Sequence, residues 1–190
     1  MFDGEYSAYW YNGLDHGIGG IDLIGIGILS TDRRNDLLPC FDAEHFMLFI
    51  GQELLPLIEK RFRVRNKILF GHSFGGATVL YSLLNHPALF DFYIMANDKP
   101  IMDMTERESF VNLDKSLYEV KGLFVGFGEN DHRSVKKWNI RLISGLSFQE
   151  FRYLRWRSLV FPGVSHYDSE RYTLSSGLEY YKQLLHAVER

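Results

Sequence analysis

The pentapeptide Gly71-His72-Ser73-Phe74-Gly75 constrains this chain more than any other stretch. It fits G-x-S-x-G, and it lies between a short apolar run, residues 67–70, and a segment whose Ala77, Leu80, Leu83 and Leu84 recur at helical spacing. A strand that turns directly into a helix leaves little room at the bend. A side chain at position 71 or 75 would collide with the neighbouring strand or helix, which accounts for glycine at both. The serine between them is forced into a strained backbone conformation, with its hydroxyl projecting above the sheet edge. The following helix points its N-terminus at the same spot, adding partial positive charge where an oxyanion would form.

Around this bend the chain alternates short β-branched or aromatic runs with longer segments of helical period. Residues 22–29 (DLIGIGIL), 67–70, 91–96, 121–127 and 156–161 predict strands. Residues 42–62, with Phe46, Ile50, Leu54 and Leu57 at steps of three and four, predict a helix capped by Asp42 and kinked at Pro56. Residues 105–117, 134–148 and 169–188 predict further helices, and residues 31–40 a polar loop. The β-α-β-α-β order implies a mostly parallel sheet flanked by helices. With 190 residues, no internal repeat and prolines scattered along the chain, one α/β domain over residues 1–190 is expected.

Composition removes several function classes. The basic residues are scattered, and 21 Lys and Arg against 24 Asp and Glu leave a net charge of −3, so no nucleic-acid footprint is expected. Cys40 is the single cysteine, which excludes an intrachain disulfide and makes a poor start for a zinc site. No apolar run approaches the roughly 18 residues of a membrane helix, and the opening Met-Phe-Asp-Gly-Glu-Tyr lacks the pattern of a signal peptide. A cytoplasmic protein without a membrane partner is therefore expected. Gly17-Ile18-Gly19-Gly20 precedes a predicted strand and has no downstream lysine, so it reads as a loop and not as a phosphate cradle.

A serine hydroxyl needs a general base, which in this topology follows the final strand. Of seven histidines, His45 and His186 fall within predicted helices, His86 at a helix end and His16 before the first readable strand. His72 is fixed in the bend itself and is expected to point elsewhere, and His132 falls where the acid should be. His166, in Pro162-Gly163-Val164-Ser165-His166 directly after the last strand, holds the required position. A carboxylate that orients this histidine belongs on the loop after the preceding strand. Gly128-Glu129-Asn130-Asp131 offers two: Asp131 is preferred because Glu129 stands closer to the strand end, and Glu129 remains the alternative.

In combination, residues 49–62 (FIGQELLPLIEKRF), 68–76 (ILFGHSFGG), 83–92 (LLNHPALFDF), 128–131 (GEND) and 161–166 (FPGVSH) resemble the putative-esterase family of α/β-hydrolases. That family includes esterase D and S-formylglutathione hydrolase, feruloyl esterases, siderophore trilactone esterases and mycolyltransferases. The resemblance implies the α/β-hydrolase fold, with Ser73 as nucleophile, His166 as base and Asp131 as acid. It also implies an oxyanion hole built from the backbone N–H groups of Phe74 and Glu5. Arg33 and Arg34, within Asp32-Arg33-Arg34-Asn35-Asp36, resemble the arginine-rich loop that borders the substrate in the siderophore esterases.

The chain departs from the pattern twice. Asn97-Asp98 stands where the family carries Ser-Pro, so the pocket wall there is expected to differ. Met1-Phe2-Asp3-Gly4 resembles the end of an interior strand, so the fold is expected to be amino-terminally truncated, with Gly4 and Glu5 close to Ser73. The function implied is hydrolysis of a small-molecule carboxylic ester through an acyl-enzyme, with no metal or organic cofactor. Acyl transfer on the same fold, or a non-catalytic homologue, are the alternatives.

Overall fold

The computed structural model describes residues 22–30, 32–38, 42–96 and 107–188. Within them, strands β1 (Ile68–His72), β2 (Phe92–Ala96), β3 (Lys121–Gly128) and β4 (Leu154–Phe161) form one sheet in the order β1-β2-β3-β4. Every pairing is parallel. In chain order the helices are α1 (Arg33–Leu37), α2 (Ala43–Phe49), α3 (Leu55–Arg61), α4 (Phe74–Asn85), α5 (Arg107–Ser116), α6 (Arg133–Ser147) and α7 (Ser169–Val188). Helices α4, α5 and α6 are the crossovers that a parallel sheet requires.

Strands β2 and β3 are buried along their whole length because both faces of the sheet are covered. Their side chains alternate between two cores. Leu69, Tyr93, Met95, Leu123 and Val125 pack with Met47 and Ile50, with Val79, Leu80 and Leu83 of α4, and with Leu142 and Leu146 of α6. Phe70, Phe92, Ile94, Ala96 and Phe124 point the other way, onto Leu174, Leu178, Tyr180 and Tyr181 of α7. Each fully buried aliphatic or aromatic side chain contributes about 1.5–3 kcal/mol. The helix α7 therefore covers β2 and β3 on one face, and the loop entering it is held over the C-terminal ends of the strands.

Three local expectations change. Residues 22–29 carry a single bridge, at Ile28, and form no strand. Leu23 packs against the core on the α7 side and Ile28 against the opposite core, but Gly25 and Gly27 bring no side chain to pack between them, which weakens a ladder there. Residues 31–40 are not wholly loop, because α1 forms there. The Asp32 carboxylate accepts the Asn35 N–H at 3.2 Å, and Leu37 and Leu38 are buried. The helix predicted over 42–62 is interrupted by a π-helical stretch, Ile50–Leu54, in which the Leu55 N–H reaches back five residues to the Ile50 carbonyl. Pro56, in the first turn of α3, supplies no N–H and crowds the preceding turn, so the kink takes the form of this widened turn. Asp42 stands at the N-cap, but its carboxylate pairs with the His45 ring and not with the helix backbone.

The expectations for Met1 to Glu5, for the glycine cluster at 17–20, for Cys40 and for Asn97-Asp98 lie outside the described residues. Among the described residues, no helix is long and apolar enough to cross a membrane, and no group of three or more His, Cys, Asp or Glu is placed to hold a metal ion.

Candidate active site

Strand β1 ends at His72 and α4 begins at Phe74, so Ser73 alone makes the bend. Its backbone sits at φ 55° and ψ −114°, and among the described residues no other non-glycine residue has a positive φ. A side-chain-bearing residue held there stores on the order of 1–3 kcal/mol of strain. The sequence enforces the bend through Gly71, where an added Cβ would lie 2.2 Å from the Gly75 carbonyl oxygen. The Ser73 N–H donates to the Ala96 carbonyl at 2.9 Å, which ties the bend to the end of β2. Ser73 is also the N-cap of α4, yet its side chain makes no capping hydrogen bond.

Two loops meet beside this bend, one after β3 and one after β4. The Glu129 N–H donates to the Phe161 carbonyl at 2.9 Å and the Asn130 N–H to the Val164 carbonyl at 3.0 Å. Gly128 permits this closeness, since a Cβ there would lie 2.2 Å from the Val164 oxygen. As a result His166 Nδ1 lies 3.0 Å from each carboxylate oxygen of Asp131. A carboxylate only accepts, so Nδ1 carries the hydrogen, and in the neutral ring Nε2 is the basic nitrogen. The Asp131 side chain is fully buried and that of His166 is 15% exposed. Asp131 also accepts the His132 N–H at 2.6 Å, which fixes the carboxylate from a second side.

Glu129 is occupied differently. Its carboxylate accepts the Gly163 N–H at 2.9 Å, and its backbone carbonyl accepts from Lys136 Nζ at 2.9 Å. It braces the turn after β4 while Asp131 meets the imidazole.

His72 does not point away as expected. Its ring centroid is 4.7 Å from that of His166, and its Nε2 lies 2.9 Å from the His166 carbonyl oxygen. Strand alternation explains the direction: His72 is two residues past Phe70 and pairs with Ala96, both on the α7 side. The ring of His132 lies 5.9 Å from His166, and the exposed Tyr167 ring lies 5.6 Å from it. Of the two arginines singled out, Arg33 reaches the bend. Its guanidinium donates to the His72 carbonyl at 3.4 Å and lies 5.0 Å from the centre of the Phe74 ring. Arg34 is exposed on the same short helix, and Glu5 lies outside the described residues.

Comparison with known proteins bears on the family and the fold. The family model described as "Putative esterase" matches residues 41–122. The chain is 31% identical over 134 residues to the ferri-bacillibactin esterase BesA of Bacillus subtilis, a match covering 65% of this chain and 46% of that protein. It is 31% identical over 108 residues to a siderophore enterobactin esterase of Emericella nidulans, covering 50% of this chain and 34% of that protein. The chain thus spans less than half the length of these curated relatives. The BES protein from Bacillus cereus superposes with a TM-score of 0.74 at 22% identity, covering 80% of this chain and 64% of that structure. The fold is that of the α/β-hydrolases.

Proposed function

We propose, from the match of residues 41–122 to the family model described as "Putative esterase" and from the fold, that this chain belongs to that family and is a serine carboxylic-ester hydrolase. Ser73 Oγ attacks the ester carbonyl carbon while His166 Nε2 takes its proton. The tetrahedral adduct collapses, the bond to the alcohol oxygen breaks, and His166 returns the proton to the departing alcohol. Water activated by the same nitrogen then hydrolyses the acyl-Ser73 ester and releases the acid. Asp131 holds the imidazole in the tautomer this requires and stabilises the imidazolium. The Phe74 N–H at the start of α4 is one oxyanion donor, and the Glu5 N–H is assigned as the second.

One observation carries the reading. The single non-glycine positive φ among the described residues falls on the serine of a strand-to-helix bend, and the residue before it, His72, meets a histidine whose Nδ1 is fixed by a buried carboxylate. The substrate class proposed is a siderophore ester, because both curated relatives are named as siderophore esterases. Arg33 fits that class, since a guanidinium beside the nucleophile can pair with the catecholate or carboxylate oxygens such ligands carry. Hydrolysis of a tricatecholate trilactone and of a short p-nitrophenyl ester, each with and without Ser73→Ala, tests both levels. Loss of both activities in the variant with a trilactone preference in the parent is expected. An active variant would end the mechanism, and a parent that ignores the trilactone would end the substrate class.

A further inference from the structure

The proposed base is fixed through its side chain by Asp131, but a general base must also be held at the right height above its nucleophile, and that is a property of its backbone. The His166 carbonyl oxygen accepts two side-chain hydrogen bonds, from His72 Nε2 at 2.9 Å and from Ser169 Oγ at 2.8 Å. Ser169 is the first residue of α7, so its bond is local to the loop. His72 is different in kind. It is the last residue of β1, and its bond spans 94 positions in sequence. It therefore joins the strand that delivers Ser73 directly to the loop that delivers His166.

The chemistry of this contact is restrictive. A carbonyl oxygen can only accept, so His72 must carry hydrogen on Nε2. The ring is buried, 8% exposed, and packs against the His166 ring. A residue one position from the serine thus has its side chain committed to the base and not to the substrate.

We propose that His72 is a positioning residue for His166, setting the distance between the base and Ser73 through its Nε2–H bond to the His166 carbonyl. This rests on the reading of Ser73 and His166 as nucleophile and base. Displacements of about 1 Å in such a pair cost on the order of 10²-fold in rate. The effect should fall on kcat and leave KM nearly unchanged, because the His72 Nε2–H is directed at the His166 backbone.

Three variants at this position separate the donor from the ring. His72→Phe keeps an aromatic ring and removes the donor. His72→Gln places an amide nitrogen at about the reach of Nε2, and His72→Asn carries the same amide one methylene short. His72→Phe and His72→Asn should lower kcat about 10- to 100-fold, and His72→Gln should recover most of the loss. A His72→Phe enzyme with parental kcat, or a His72→Gln enzyme as slow as His72→Asn, would overturn the proposal. Should His72→Phe fail to fold, the Gln and Asn pair decides the matter, since the two differ only in reach. Ser73→Ala and His166→Ala run alongside: if either turns over normally, the underlying assignment has failed, whereas inactivity of both with a fully active His72→Phe overturns the positioning role alone.

Discussion

At the N-terminal ends of the strands the buried member of the ion pair is a cation. Lys121 is 2% exposed and meets Asp91 at 3.4 Å and Glu119 at 2.6 Å, whose side chains are 32% and 69% exposed. At the C-terminal ends the buried charge is an anion: the Asp131 side chain is fully enclosed, and its hydrogen-bond partner His166 is partly exposed. In both places a charge is kept out of water by a partner that partly remains in it, which lowers the desolvation cost. The difference lies in which partner faces outward. At the lower end it is a pair of spent carboxylates, and Asp91 also accepts the Lys67 N–H at 2.7 Å, so the cluster fastens strand starts. At the upper end it is an imidazole whose Nδ1 meets the carboxylate and whose other nitrogen is left for chemistry under the proposed mechanism.

Substitutions at the two ends should therefore diverge sharply. Asp131→Asn should cost about 10³-fold or more in kcat with the fold intact, because an amide cannot select the same imidazole tautomer. Glu129→Gln should stay within about threefold, since a glutamine oxygen still accepts the Gly163 N–H. Steady-state kinetics on the two variants check the ranking, and a reversed order would hand the role to Glu129. Gly128→Ala comes next. Its Cβ would meet the Val164 oxygen, pushing the two loops apart, with a loss of about 1–3 kcal/mol in stability and a larger fractional loss in kcat. Thermal melting alongside kinetics reads both effects.

The opposite end should behave as structure alone. Lys121→Met should leave kcat within about twofold and shift stability by less than about 1 kcal/mol, because an apolar chain of similar length fills the site and the freed carboxylates can hydrate. A large rate loss there would break the contrast. The smallest effect concerns pH. The hydrogen bond from the Lys121 ammonium, together with its charge, holds the Glu119 carboxyl below its ordinary value. A carboxyl lowered by folding contributes stability that is full above its unfolded value and is lost as the pH falls through the lower folded one. Lys121→Met removes that contribution, so the pH-dependent part of its stability difference from the parent should be a slight loss near neutral pH that vanishes as the pH falls through the folded value, as urea melts across that range would show.

What the sequence made legible follows from how local each feature is. The bend was readable because Gly71, Ser73 and Gly75 decide it within five residues, and the structure finds the positive φ on Ser73. The helices over 134–148 and 169–188 carried their own periodicity and form as Arg133–Ser147 and Ser169–Val188. The sequence prefers Asp131 over Glu129 on loop position alone, and the partners that distinguish the two, Gly163 and His166, come from a loop more than thirty positions away. His72 was misread although a signal existed: counting by two from Phe70 places it on the face that α7 covers. Residues 22–29 suggest a strand through their alternating isoleucines, yet Gly25 and Gly27 interrupt the side-chain packing that would hold a ladder, and a single bridge at Ile28 forms. Arg33 was chosen by resemblance, and only the formation of α1 carries it to the bend.

The central claim is a covalent acyl-enzyme on Ser73. Mixing the protein with an activated acyl ester such as p-nitrophenyl acetate, quenching in acid within the first turnover and mapping the digest by mass spectrometry tests it directly. The account predicts one acyl group on the peptide containing Ser73, formed no more slowly than turnover and absent from Ser73→Ala. Turnover without that adduct, or with the acyl group on another residue, would contradict it.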